Sequence, residues 1–160
     1  MFDKISGLPA HPLFVHGAVV LVPLLAIIAI LYAVWAGARR HIRWPMIVLA
    51  VATPGAVFAA KESGESFKES PNFQATEIQK TIGQHEGFGN TLFLVVAGLA
   101  VLTLVMAFMI ATTADGTAAI KAPVAVHWIV IALTVILAAA ALFYVFKAGD
   151  TGAHLVWSGF

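Results

Sequence analysis

The sequence has no cysteine and very little charge. The absence of cysteine excludes a disulfide, a thiolate metal site and a catalytic thiol. Charged residues make up only 11% of the 160-residue chain, against about 25% in soluble domains. The formal net charge of +1 gives no basic surface for a nucleic acid. In their place, 61% of the residues are hydrophobic and the mean hydropathy is +0.94. This composition predicts a membrane protein.

Four long stretches contain no Asp, Glu, Lys or Arg. A helix crosses a bilayer core of about 30 Å with roughly 17–25 apolar residues. The stretches therefore predict membrane-spanning helices at about 13–36, 44–62, 86–113 and 123–147. Because the runs are continuous rather than alternating, they do not fit barrel strands. We predict an all-α integral membrane four-helix bundle with antiparallel up-down order, forming one transmembrane domain over residues 1–160.

The segment between the second and third spans, 63–85, is expected to be a short extramembrane loop with helical character. Lys61 can pair with Glu65 one helical turn later. Asp150 is expected to cap a helix that begins at Thr151. No soluble domain, internal repeat or low-complexity tract is apparent in the chain.

Charge in the short first loop predicts the orientation. Arg39, Arg40 and Arg43 crowd this loop, which should therefore be cytoplasmic. Both termini and the 63–85 loop are then outside. Because these arginines follow the first span, that span reads as a retained helix rather than a cleaved signal peptide.

Small residues predict which faces of the helices meet. Ala26, Ala29, Ala33 and Gly37 form one stripe at helical spacing on the first span. Small residues let helix backbones approach closely where lipid is as apolar as the protein. The stripe is therefore expected to face the bundle interior.

The histidines gather on one side of the membrane in this topology. His11, His16, His85 and His154 fall on the outer face, and His41 and His127 on the inner face. His11 and His16 would be about 140° apart if both were helical. Because Pro12 suits the first helical position, His11 is expected just before the helix, with His16 pointing into the bundle.

Four interpretations of the outer histidines stay open. His16 and His85 could be the two axial ligands of haem b. Copper or zinc could instead take imidazoles with further ligands. The outer histidines could also be ordinary polar groups at the membrane boundary, where a polar side chain costs little free energy, or they could bind protons. The candidate metal ligands are His11, His16, His85, His154, Glu62 and Glu65.

Recognisable enzyme motifs are missing from the sequence. It contains no HExxH pair, P-loop or nucleophile elbow, so no catalytic residue is assigned. The spans exclude a soluble enzyme. The four uncharged stretches within the spans also carry no acidic residue, which disfavours a transporter or pump.

Four segments resemble those of the bacterial membrane family catalogued as domain of unknown function 2231. These are the opening around His11-Pro12 and His16, the stretch Ala59–Glu65, His85, and the closing stretch Gly149–Trp157. The resemblance implies four spans and importance for His11, His16 and His85. It also implies a bacterial plasma membrane protein, and some relatives look associated with cytochrome-like proteins.

The leading functional hypothesis is therefore a small membrane protein that binds haem b or a transition metal in a redox or metal-handling role. His16 and His85 are the expected ligands. The alternative is a non-catalytic accessory or assembly subunit of a larger, respiratory membrane complex. Expected partners are the lipid bilayer and either subunits of such a complex or further copies of this chain.

Overall fold

Four long helices dominate the computed structural model, which describes residues 4–5, 8–68, 76–112, 118–120 and 123–157. The elements in chain order are β1 (Lys4–Ile5), β2 (Leu8–Pro9), α1 (Ala10–Val34), a short 3₁₀ helix (Ala36–Ala38), α2 (Arg39–Lys68), α3 (Thr76–Met109), β3 (Ile110–Thr112), β4 (Ala118–Ile120) and α4 (Val124–Trp157). The strands form two short antiparallel pairs, β1 with β2 and β3 with β4.

The helices pack as an all-α four-helix bundle, as the sequence predicts. α1 packs against α2 and α4, and α3 packs against the same two helices, so that α1 and α3 are diagonal to each other. Each of the four is long and apolar enough to cross a membrane. The fold therefore fits a small multi-pass membrane protein in contact with a lipid bilayer.

The helices extend further than the predicted spans. α2 continues to Lys68 and α3 begins at Thr76, which confirms the helical character expected for the described parts of the 63–85 segment. α4 runs unbroken to Trp157. Asp150 therefore lies inside a helix, and its predicted role as an N-cap at Thr151 is wrong. A glycine costs a helix only about 1 kcal/mol, so Gly149 and Gly152 do not break it.

Side-chain contacts define the two ends of the bundle. At the first end, the start of α1 contacts the end of α2 through His11 and Ala60, and the start of α3 contacts the end of α4 through His85 and Ala148. We call this the histidine end.

The opposite end, which we call the arginine end, holds Tyr32, Arg39 and Ile110. The Tyr32 hydroxyl donates to the carbonyl oxygen of Ile110 at 3.2 Å. Arg39 is 7% exposed and donates to two carbonyl oxygens in the last turn of α1. These carbonyls have no partner within the helix, so the guanidinium stabilises the helix C-terminus.

The interior is built from small and aliphatic residues. Ala26, Ala29 and Ala33 are buried, which confirms the inward orientation of that part of the predicted stripe. Gly37 is exposed, because the chain leaves α1 before reaching it and enters the 3₁₀ helix. Large apolar side chains such as Leu94, Phe108 and Phe146 point outward, as expected of a surface that faces lipid.

Candidate functional site

The His11 imidazole lies at the start of α1 and is held by the end of α2. Its Nδ1 is 2.9 Å from the carbonyl oxygen of Ala60 and 3.2 Å from the hydroxyl oxygen of Ser63. Since a carbonyl oxygen can only accept, Nδ1 carries the proton and donates it. The Ser63 hydroxyl itself donates to the Ala60 carbonyl oxygen at 2.9 Å. We call Ala60, Ser63 and Gly64 the first clamp.

Gly64 completes the first clamp by leaving room for the ring. A Cβ built at this position would stand 3.0 Å from Cε1 and 3.3 Å from Nδ1 of His11. Any side chain there would press on the imidazole. The ring therefore packs directly on the backbone of α2.

His85 repeats this arrangement at the start of α3. Its Nδ1 donates to the carbonyl oxygen of Ala148 at 2.9 Å and lies 3.3 Å from the Thr151 hydroxyl oxygen. A Cβ built at Gly152 would stand 3.1 Å from Cε1 of His85. Ala148, Thr151 and Gly152 form the second clamp, at the same spacing as the first.

The two clamps bring the two imidazoles together. The ring centroids of His11 and His85 are 6.0 Å apart, and the ring planes are nearly perpendicular at 89°. Both rings are anchored through a protonated Nδ1, which leaves Nε2 as the unprotonated nitrogen of a neutral ring. An Nδ1–H bonded to a backbone carbonyl is the arrangement that orients metal-ligating histidines.

The clamps belong to a duplication that covers all four helices. His85 lies 74 positions after His11, and at this offset every buried residue of α1 from Ala18 onward corresponds to a buried residue of α3. Identical pairs at this offset include Val22 and Val96, Leu25 and Leu99, Ala26 and Ala100, and Ala33 and Ala107. The same inward face is therefore used twice.

α2 and α4 correspond in the same way at an offset of 88 positions. Ala50 and Ala138 are both buried, as are Val57 and Val145, and Arg39 and His127. The offset is larger because the connection that contains β3 and β4 is longer than the one between α1 and α2. The expectation of no internal repeat was wrong: most of the shared pattern is general apolar character, which hides a repeat in a membrane sequence.

His16 does not join the pair. It is exposed, and its Nδ1 donates to the carbonyl oxygen of Pro12 in its own helix. α1 begins at Ala10 rather than at Pro12, so His11 is helical and His16, about 140° away on the same helix, is exposed. The expectations that His11 precedes the helix and that His16 points into the bundle were therefore wrong. The structure thus pairs His85 with His11, and the ligand role of His16 stays a prediction.

The other candidate residues lie apart from the two rings. Glu62 and Glu65 contact the Lys61 ammonium at 3.4 and 3.1 Å, which confirms the predicted pairing of Lys61 with Glu65. His154 is exposed and lines a cavity between α3 and α4. His41 is exposed near the start of α2, and His127 is buried near the start of α4.

A metal site built only from protein side chains needs more ligands than these two. Within the described ranges, no group of three or more His, Cys, Asp or Glu side chains is gathered closely enough to hold a metal ion. A structural zinc ion takes four protein ligands and a catalytic one three. The zinc interpretation is therefore the least favoured by the geometry.

Sequence reasoning did not assign a role to the clamp residues. Their signal is a short pattern that occurs twice, Ala60-Lys61-Glu62-Ser63-Gly64 and Ala148-Gly149-Asp150-Thr151-Gly152. In both, alanine is followed by an acidic residue, a hydroxyl residue and glycine at the same spacing. Each pattern follows a histidine by a full helical hairpin, so only the folded chain shows what it contacts.

Comparison of the chain with models of known protein families, with curated proteins and with solved structures gave no match. The resemblance to domain of unknown function 2231 accordingly stays a prediction.

Proposed function

We propose that this membrane protein binds one transition-metal centre between the imidazoles of His11 and His85. The observation that carries the proposal is the pair of rings 6.0 Å apart, each oriented by a backbone carbonyl at Nδ1. Metal–imidazole bonds are about 2.0–2.1 Å long, so one ion shared by two Nε2 atoms sets the ring centroids roughly 6 Å apart. The spacing matches this requirement.

The metal centre must be one that can be held with two imidazoles as its only protein ligands. Haem b would meet the condition, because a porphyrin supplies its own nitrogen ligands and His11 and His85 would be the protein ligands of the iron. A copper ion with few protein ligands meets it as well. The duplicated frame supports either one, since it brings one imidazole from each of two diagonal helices to a ring-centroid distance of 6.0 Å.

The protein's own residues would do three things for such a centre. The clamps hold each ring in one tautomer and one orientation. Ser63 and Thr151 share the Nδ1 protons with the backbone carbonyls. The surrounding apolar helices limit access of water, which would tune the reduction potential of a redox ion.

Location and family membership are part of the proposal. The arginine end is proposed to face the bacterial cytoplasm, with the histidine end and both termini outside. Exposed tryptophans near the arginine end, Trp35, Trp44 and Trp128, support a membrane boundary there. Membership of domain of unknown function 2231 is supported by the fact that the resembling segments contain His11, His85, the first clamp, and Thr151 and Gly152 of the second clamp.

The experiment is an absorption spectrum and an elemental analysis of the protein purified in detergent from cells supplied with haem and metals. A Soret band that shifts on reduction identifies haem b, and copper or iron at about one equivalent without that band identifies a bare ion. Protein with neither overturns the proposal.

Single variants locate the centre. His11→Ala and His85→Ala are each expected to abolish binding, because one imidazole cannot replace two. His16→Ala is the matched control in the same helix, and it should retain the spectrum or the metal. Loss in His16→Ala with retention in His11→Ala would restore the pair that the sequence predicted.

The alternative role, an accessory subunit of a larger complex, makes the opposite prediction. The exposed apolar side chains of the bundle could contact other subunits as well as lipid. In that case larger subunits co-purify with the chain in mild detergent, and assembly tolerates His11→Ala and His85→Ala.

A further inference from the structure

A cavity of about 400 Å³ lies between α3 and α4 at the histidine end. Among its lining residues are Gln84, Phe88, Lys147, Asp150, Thr151 and His154. Its volume falls in the range of small-molecule sites, about 300–1,000 Å³. Thr151 belongs both to this lining and to the second clamp, so the cavity adjoins the His85 imidazole.

The duplication shows which residues of the cavity lining are not needed to hold a histidine ring in place. In the first half of the duplication, which consists of α1 and α2, the positions that correspond to Gln84 and Lys147 hold alanine, and the position that corresponds to His154 holds serine. The first half still positions His11 as well as the second half positions His85. These three polar side chains therefore serve something other than the clamp.

The character of the lining indicates the class of ligand. Lys147 and Asp150 carry opposite charges, so the cavity does not select for a strongly charged molecule. Phe88 offers an aromatic face, and Gln84 and His154 offer hydrogen-bond donors and acceptors. Trp157, one turn beyond, is exposed, as is common at the level of lipid head groups.

We propose that this cavity binds the head group of a quinone or quinol. Such a head group is neutral and flat, with two oxygens that hydrogen-bond, and its tail is soluble in the bilayer. These features match the lining of the cavity, where Phe88 can pack on the flat ring and Gln84 and His154 can hydrogen-bond its oxygens. The proposal does not depend on a metal at the imidazole pair, because the quinone contacts α3 and α4 rather than the space between His11 and His85.

The test measures binding of decylubiquinone to the detergent-purified full chain by titration calorimetry. The decisive variant is Gln84→Ala/Lys147→Ala/His154→Ser, which gives the second half the residues of the first. The frame already accepts these residues, so the variant should fold. Its affinity for decylubiquinone is expected to fall at least tenfold.

A matched pair of variants separates the cavity from general surface charge. Because the oxygens of decylubiquinone only accept hydrogen bonds, Lys147→Met, which removes a donor from the cavity, should weaken binding, whereas Lys61→Met, which removes the same charge from α2 at the same end, should leave it unchanged. Metal or haem content is measured on the same samples. Unchanged content with lost quinone binding supports the cavity proposal independently of the imidazole site.

Three results would overturn this inference. The wild-type chain could fail to bind decylubiquinone, or the triple variant could bind it as tightly as the wild type does. Dihexanoylphosphatidylcholine could displace the probe at equal concentration, in which case the cavity accepts a lipid head group instead. Absence of metal or haem, by contrast, bears only on the imidazole pair.

Discussion

Gly64 lies against the edge of the His11 imidazole so closely that a Cβ on it would stand 3.0 Å from Cε1. Gly152 has the same relationship to His85, at 3.1 Å. Each ring is also held at Nδ1, so it cannot move away without lengthening a hydrogen bond. Glycine at these two positions therefore lets each imidazole pack directly on a helix backbone.

Replacing either glycine should destabilise the protein. Gly64→Ala and Gly152→Ala are each expected to lower the free energy of unfolding by about 1–3 kcal/mol, the usual cost of overpacking. Circular dichroism during denaturation in mixed detergent measures the change. The control is Gly149→Ala, since a Cβ at Gly149 meets nothing within 4 Å. It should stabilise the helix by roughly 0.5–1 kcal/mol. Equal stability of Gly149→Ala and Gly152→Ala would contradict the packing described.

The arginines of the first loop should differ sharply in their contribution to stability. Arg39 donates from Nε to Tyr32 and from Nη2 to Ala33, both at 2.8 Å to carbonyl oxygens. Arg39→Ala removes both bonds and leaves the carbonyls without this donor, so we expect a loss of about 2–5 kcal/mol in unfolding free energy.

Arg40→Ala is the matched control for Arg39→Ala, because it removes one positive charge from the same loop. The Arg40 side chain is exposed, and its loss should change the unfolding free energy by less than about 0.5 kcal/mol. Thermal melts of both variants in one detergent test the difference. A similar melting temperature for the two would show that Arg39 acts only through its charge.

The small-residue interface should not accept larger side chains. Ala33 is 3% exposed and its counterpart Ala107 is 0% exposed. Ala33→Leu and Ala107→Leu should each destabilise the bundle by about 1–3 kcal/mol, because the neighbouring helices must move apart. Ala139→Leu, on the exposed face of α4, should be neutral. Unchanged thermal stability of Ala33→Leu in detergent would place that residue on the lipid face.

The orientation can be read from single cysteines, since the chain has none of its own. His41→Cys lies at the arginine end and Asp150→Cys at the histidine end, and both positions are exposed. In intact cells a membrane-impermeant maleimide should label Asp150→Cys. It should label His41→Cys only after lysis. The reverse pattern would invert the proposed topology.

Part of the imidazole site could be predicted from the sequence. Hydropathy and span length brought His11 and His85 to the same end of the bundle, since the number of crossings between them is even. What could not be predicted was the choice between His11 and His16. That choice depends on where α1 begins: because the helix already starts at Ala10, His11 lies on a helical face about 140° from that of His16, and helix boundaries are hard to predict to within two residues.

The sequence by itself determined that this chain forms four apolar helices suited to a membrane, because length and composition control transfer into lipid without reference to any partner residue. Only the tertiary structure decided how the imidazoles are held. The carbonyl oxygens that orient them belong to Ala60 and Ala148, which are 49 and 63 residues away along the chain. Backbone groups carry no side-chain signature, so their role becomes visible only once the helices are packed.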